Sequence, residues 1–364
     1  MKKIVLSSLV VLALSATAMA SEVTPVFAKA DKLKFSGTHY LGYTSKNVDG
    51  GDNTGSFEMR RNYVQVKAYL LENPKDYIRI TLDGTYIDGS GKASMFVKYA
   101  YLYLNEVLPY TGVEIGMVHK PWIDYESKQG WGMRSISKVF AEASESAKLT
   151  ASADLGFNLK TKTPYFTSEI GLFNGEGYKA SGAVGAGVSA EWRTTLALLG
   201  NGDKKRKVTK NSFLDTSFFG QYNMKNSGNL DSTGNERDFI FYGFHAVYNT
   251  PLFLVAGQYI TAENDYKATS IYNGDGYSLN ATFRFGEKKQ YSVIGRYDAW
   301  ISKNDSTGVE QTTNNIIYGV ALQQNKNVKW LLSAQNYVAK DGRNYEGKDV
   351  SDWNSVMVTT EIKW

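Results

Sequence analysis

The sequence predicts an all-β fold: a transmembrane antiparallel β-barrel of about 16 strands, with short turns on one rim and long loops on the other. Three observations carry this expectation. Period-two alternation of apolar and polar residues dominates the chain. The alternating segments are mostly longer than the ~5 to 6 residues of a soluble strand and match the ~9 to 11 that a tilted membrane strand needs. Tight and long connections also take turns along the chain, which is the asymmetry of an outer-membrane barrel.

Composition removes the competing classes. The 364 residues include no cysteine and three histidines, so neither a disulfide scaffold nor a thiol metal cluster is available. After the first twenty residues no apolar run approaches the ~18 to 20 of a membrane helix. Aromatics at 13% and 41 basic against 36 acidic residues argue against disorder and give no nucleic-acid footprint.

Taken in order, residues 1–20 read as a secretory signal peptide. Lys2 and Lys3 precede the apolar run Ile4–Leu14, and Ala18-Met19-Ala20 forms the cleavage site. A short lead-in covers 21–32, and 33–364 form one barrel domain. The expected strands are 33–46, 55–72, 76–88, 95–106, 111–122, 149–161, 165–174, 186–200, 211–225, 237–249, 252–264, 274–287, 290–303, 314–326, 328–340 and 352–364. The segment 278–285 illustrates the pattern. Leu279, Ala281, Phe283 and Phe285 fall on one face, and Ser278, Asn280, Thr282 and Arg284 on the other.

Tight turns are expected at Glu72–Lys75, Lys162–Pro164, Asn249–Pro251, Gly286–Lys289 and Asn325–Asn327. Long polar loops are expected at 47–54, 123–148, 175–185, 226–236, 265–273, 304–313 and 341–351. The basic connection 201–210 breaks the rule, because it falls where a short turn belongs. An even strand count puts both chain ends on one rim. Trp364 at the end of an alternating strand has the form of the sorting signal read by barrel-assembly machinery.

A barrel of this size leaves an aqueous channel. The longest loop, 123–148, is the candidate constriction, since Gly130, Trp131 and Gly132 allow a sharp fold. Alternation assigns Arg61, Lys67, Arg79, Lys120, Lys160, Arg193, Arg284 and Arg296 to the lumen, and the loop adds Arg134 and Lys138. The acids Asp83, Glu114, Asp154, Glu169, Glu191, Asp215 and Asp298 share that face, so charge counting alone gives no strong ion selectivity. His119 and His245 fall on faces that read as lipid-side or ambiguous.

Several short motifs occur in order. They are Phe57-Glu58-Met59-Arg60-Arg61-Asn62-Tyr63, Lys98-Tyr99-Ala100-Tyr101, Ile115-Gly116-Met117-Val118-His119-Lys120-Pro121, Phe173-Asn174-Gly175 and Gly295-Arg296-Tyr297-Asp298. This series resembles the phosphate-selective porin O and P family. The resemblance implies a sixteen-stranded trimeric porin in which anions pass along basic residues, with Arg61 and Lys120 at family positions. Lys98 departs from it, standing where the family usually has an acid.

The functional expectation is an outer-membrane porin of a Gram-negative bacterium. It gives passive diffusion of small hydrophilic solutes, with anions or phosphate preferred, as a homotrimer in outer-membrane lipid. A non-selective general porin and a closed adhesin or structural barrel are the alternatives. No nucleophile elbow, metal-ligand spacing or cofactor motif appears, so neither an enzyme nor a cofactor or metal site is expected.

Overall fold

The structure, a computed structural model, describes residues 32–86, 93–175, 177–178, 187–230, 236–267, 270–304, 307–340 and 351–364. Sixteen antiparallel strands each pair with their sequence neighbours, and the first closes on the last. In order they are β1 (Leu33–Val48), β2 (Thr54–Ala68), β3 (Tyr77–Tyr86), β4 (Ala93–Leu108), β5 (Thr111–His119), β6 (Ala153–Lys162), β7 (Phe166–Phe173) and β8 (Val188–Leu199). Then follow β9 (Phe213–Leu230), β10 (Glu236–Asn249), β11 (Phe253–Lys267), β12 (Ser270–Phe285), β13 (Tyr291–Asn304), β14 (Glu310–Gln323), β15 (Val328–Lys340) and β16 (Trp353–Lys363). Closure leaves no unpaired sheet edge, as a wall in lipid requires.

The faces are inverted relative to a soluble protein. On β12, Leu279, Phe283 and Phe285 are exposed on the outer surface, while Ser278, Asn280, Thr282 and Arg284 are buried inside. On β16, Val356 and Val358 point out and Thr359 and Glu361 point in. An apolar belt around a polar interior is stable when the outside solvent is hydrocarbon.

Two bulges break the alternation where it matters for the lumen. Between β1 and β2, Tyr40 pairs with Arg61 and Leu41 with Met59, so Arg60 is the extra residue. Between β3 and β4, Thr81 pairs with Tyr99 and Leu82 with Val97, so Lys98 is extra. A bulge re-aims side chains that strict alternation would send outward.

The strand spans depart from the expected ones in several places. The fifth strand stops at His119 rather than 122, because Pro121 opens a short helix, α1 (Pro121–Tyr125). The sixth begins at Ala153, since Leu149 and Thr150 instead bond back to the Ala141 carbonyl within the loop. The inner connection is therefore 120–152, longer than the expected 123–148. Strands β9, β11, β12 and β14 run beyond their expected limits towards the long-loop rim. Both faces of such projecting ladders are wet, so backbone pairing continues after the hydrophobic alternation has ended. The connection 200–212 folds in under the short-turn rim. There Val208 packs against Phe213, Val247, Leu254 and Ala256.

The expected signal peptide with its cleavage after Ala20 lies outside the described residues, as do residues 21–31 and 341–350 and most of 175–185.

Candidate functional site

The interior is organised by the connection 120–152, which lies inside the barrel. After α1 the chain makes a one-turn π-helix (Glu126–Gly130), closed by the Trp131 N–H donating to the Glu126 carbonyl at 2.8 Å. Its apolar residues form a core with the inner wall. Trp122, Ile123, Trp131, Ile136, Val139 and Phe140 pack with Phe219, Phe241, Ile260, Ile294, Trp300, Ile317 and Leu331. Trp122 lies flat on Phe219, with ring centroids 3.6 Å apart. A loop with that much buried apolar surface is a fixed part of the lumen and not a mouth cover.

Polar contacts pin the same loop to strands around the barrel. The Tyr125 hydroxyl donates to Asp215 at 2.7 Å, and Arg206 from the 200–212 connection pairs with the same carboxylate. Ser146 donates to Asp298 at 2.5 Å and Ser135 to Glu361 at 2.7 Å. Arg296 donates to the Lys138 carbonyl at 2.6 Å, and Arg60 to the Ile136 carbonyl at 2.8 Å. The loop thus reaches from β5 past β9 and β13 to β16 and β2.

The basic residues singled out in the sequence divide into two groups. Most are neutralised. Lys120, at the loop's start, meets Glu191 at 2.7 Å and Asp154 at 3.7 Å. Arg134 pairs with Glu142 at 2.6 Å, and Lys138 reaches the same carboxylate at 3.7 Å. Arg193 pairs with Glu169 at 3.3 Å, and Arg296 with Asp298 at 2.6 Å. Lys160 lies 3.4 Å from both Glu114 and Glu169. Burial pushes the Glu142 carboxyl up, but Arg134 and then Lys138 outweigh it and hold the group well below the usual carboxylate range.

The second group has no ion pair among the described residues. Arg61 and Lys98 are both buried, and neither meets a carboxylate within 4.0 Å among the described residues. Arg61 donates to the Tyr63 hydroxyl. Lys98 donates to Ser152 at 2.8 Å and to the Tyr178 hydroxyl at 3.3 Å, and lies 4.3 Å from the Tyr178 ring centroid. Lys67 and Arg79 sit side by side on β2 and β3, next to Lys34 on β1. Each of the three faces a tyrosine: Lys34 over Tyr69 at 4.8 Å, Lys67 over Tyr77 at 4.1 Å and Arg79 over Tyr99 at 4.5 Å. Rings hold cations without cancelling their charge. Among the described residues Arg284 likewise donates to neutral partners, the Asn249 side chain at 3.1 Å and the Thr250 and Val208 carbonyls at 3.1 and 3.4 Å.

Arg284 opens on a cavity of about 1120 Å³ beneath the loop at the short-turn rim. Lys128, Arg206, Lys207, Arg284, Lys288, Lys289, Lys326, Lys329 and Lys363 line it, against a single acid, Glu361. Alternation along the sequence picks out only Arg284 among these. The others come mainly from turns and from the exceptional 200–212 connection, where alternation carries no information. Lys98 also escapes it, because the bulge gives no sequence signal beyond the departure already noted.

Two histidine assignments need correcting. His119 is buried on the inner side, its Nε2 3.3 Å from both Glu114 and Glu169 and 2.7 Å from the Lys160 Nζ. The chain turns inward at the end of β5 and carries the ring with it. His245 is also inside, edge-on to Trp122 with centroids 5.1 Å apart. It shares the inner face of β10 with Phe241 and Val247. Among the described residues no group of three or more His, Cys, Asp or Glu is placed to hold a metal ion.

Trp364 closes the seam with β1, its backbone paired to Gly37 and its indole 54% exposed.

No family model and no curated protein matches the chain. Its fold does match solved structures. An anion-selective porin from Comamonas acidovorans aligns over 91% of this chain and 99% of its own, at 13% identity and a TM-score of 0.64. OmpF of Salmonella typhi, solved with daunomycin, aligns over 91% and 97%, at 12% identity and 0.63. A trimer form of OmpT, an outer membrane protein of Vibrio cholerae, aligns over 91% and 99%, at 11% identity and 0.56. At such identities the likeness is one of fold: the chain is built as a sixteen-stranded barrel of the kind these outer-membrane proteins share.

Proposed function

We propose that this chain is an outer-membrane porin that passes small hydrophilic solutes by passive diffusion and favours anions. The observation that carries the anion preference is the rim cavity, with nine basic residues to one acid. Charges of one sign in a low-dielectric mouth concentrate the opposite ion and raise its rate of entry. Above it, the inner loop narrows the lumen and acts as the constriction. The unpaired Lys67, Arg79, Arg61 and Lys98 on the opposite wall continue the basic track inward. The family expectation of phosphate as the solute rests on Arg61 and the paired-Arg strand. Lys98 adds a second buried cation beside it.

The same reading includes export by the 1–20 signal with cleavage after Ala20, insertion by barrel-assembly machinery that reads Trp364, and a homotrimer in outer-membrane lipid. The trimer is suggested by the trimeric Vibrio cholerae neighbour.

The test is single-channel conductance in planar bilayers with the reversal potential under a KCl gradient. A chloride-favouring potential, with conductance reduced further by phosphate, supports the proposal. A neutral or cation-favouring potential favours the general-porin reading, for which the six neutralised cations Lys120, Arg134, Lys138, Lys160, Arg193 and Arg296 speak.

A further inference from the structure

The seat of the π-helix holds a group of buried polar atoms that nothing in the porin reading uses. Glu126 is 1% exposed. One of its oxygens accepts from the Gln258 amide, and the other, Oε2, has no hydrogen-bond partner among the described residues, while the Phe140 N–H acts on the carboxylate more weakly. His245 stands next to Gln258 in the β10–β11 register, and both of its ring nitrogens are buried and unpartnered. The Gln258 carbonyl and the Ser278 hydroxyl, next along the same rung, are unpartnered too. Gly130 lies between the two ionisable groups without bringing them into contact. A Cβ there would lie 3.1 Å from His245 Nε2 and 3.4 Å from Glu126 Cγ. A buried acceptor without a donor is costly, and a buried carboxylate without a cation more so.

One proton relieves the carboxyl. A protonated Glu126 is neutral and donates to the unpartnered side-chain carbonyl of Gln258, whose amide already donates to it. We infer that Glu126 and Gln258 form a proton-binding latch beneath the inner loop, which seats the loop on the wall when the carboxyl carries its proton and loosens it when the carboxyl ionises. This uses the loop's seat alone and does not depend on conduction.

The charged groups acting on Glu126 from the packed elements are Arg296 and Asp298 of β13, and these are paired with each other. Among the described residues no cation is left over to compensate an ionised Glu126. Burial accordingly pushes the carboxyl up to about 7, with Arg296 opposing. The sign follows. The seated state holds its proton to higher pH than the ordinary Glu value of 4.5. Seating therefore weakens as pH rises from there and levels off above the raised value.

Hydrogen exchange of the full, detergent-folded chain tests the latch, with labelling times scaled for intrinsic exchange and the barrel strands as internal control. In the wild type, protection of residues 121–149 is expected to fall at least tenfold between about pH 5 and about pH 8, because the seating equilibrium moves about tenfold for each pH step of one between the unseated and seated values. Glu126→Gln keeps the acidic protection at both pH values. Gln258→Leu lowers the acidic protection towards the alkaline level. Wild-type protection that does not change with pH overturns the inference. So does a fall that persists in Glu126→Gln, or a Gln258→Leu profile identical to wild type.

Discussion

Gly37 leaves the space that the Trp364 indole fills. The ring lies where a Cβ on residue 37 would sit. The two backbones bond reciprocally, Gly37 N to Trp364 O at 3.0 Å and Trp364 N to Gly37 O at 3.2 Å. The indole Nε1 donates to His39 Nε2 at 2.8 Å, and its ring stacks on the same imidazole. The barrel's seam is thus locked at the rim where the chain ends meet.

Gly37→Val is expected to force the indole out and weaken closure by about 1–3 kcal/mol, the usual cost of overpacking. Denaturant unfolding of the folded barrel in detergent measures this. Gly295→Ala is the control, because a Cβ there meets nothing within 4 Å. Equal midpoints for the two variants would show that the seam does not depend on this fit.

The inner loop is expected to lose its seat when Trp122 is truncated. Its ring stacks on Phe219 and is 3% exposed. Trp122→Ala removes about 3–5 kcal/mol of packing. The strand hydrogen bonds do not involve it, so limited proteolysis should cut within 120–152 while the barrel stays heat-stable. Unchanged protease resistance would mean that the polar pins at Tyr125, Ser135 and Ser146 are sufficient alone.

These two sites show what the sequence made legible. Alternation found the barrel, because the outer face meets one solvent and the inner face another, and period two records that difference directly. It failed at Lys98 and Arg60 because a bulge shifts the phase by one residue without changing composition. It failed at His119 because that is the last residue of β5, where the chain turns inward. The rim cavity was invisible for another reason. Its lysines are scattered over separate turns and strand ends, and only closure of the barrel brings them together.

Lys98→Gln is expected to lower anion permeation. Lys98 is buried with no ion pair among the described residues, so no carboxylate cancels its field on a passing ion. Loss of one such charge costs a monovalent anion about 1 kcal/mol even at a water-like dielectric, a roughly fivefold fall. Lys120→Gln should do less to selectivity and more to stability, because it leaves Glu191 and Asp154 facing each other without their cation. Reversal potentials of both variants under one KCl gradient decide this, and the opposite order would remove Lys98 from the path.

The rim lysines should matter only at low salt. Reversing Lys288 and Lys326 to Glu places two acids in the mouth of the cavity. Exposed charges are screened over ~10 Å at 0.1 M and ~3 Å at 1 M. The double variant should therefore lose anion current at low ionic strength and approach wild type in molar salt. A deficit independent of salt would point to blockage or misfolding and not to the field.

Glu142 is expected to keep its charge under mild acid. Its carboxyl is buried, yet Arg134 at 2.6 Å and Lys138 at 3.7 Å hold it well below the usual carboxylate range. A depressed folded value means that the pair's contribution is complete above the ordinary 4.5 and is lost only as pH falls through the lower folded value. Between neutral pH and about pH 5 the Arg134–Glu142 pair should then stay intact, and anion preference should not climb on its account. The measurement belongs on a Glu126→Gln background, so that the loop's seat does not titrate over the same interval. Glu142→Gln in that background leaves Arg134 uncompensated and should raise anion preference at every pH, at a cost to loop seating of about 3–5 kcal/mol. A preference that rises on mild acidification with Glu142 present, and is already at its acidic level in Glu142→Gln, would show that the carboxyl titrates normally and that the pair does not hold it.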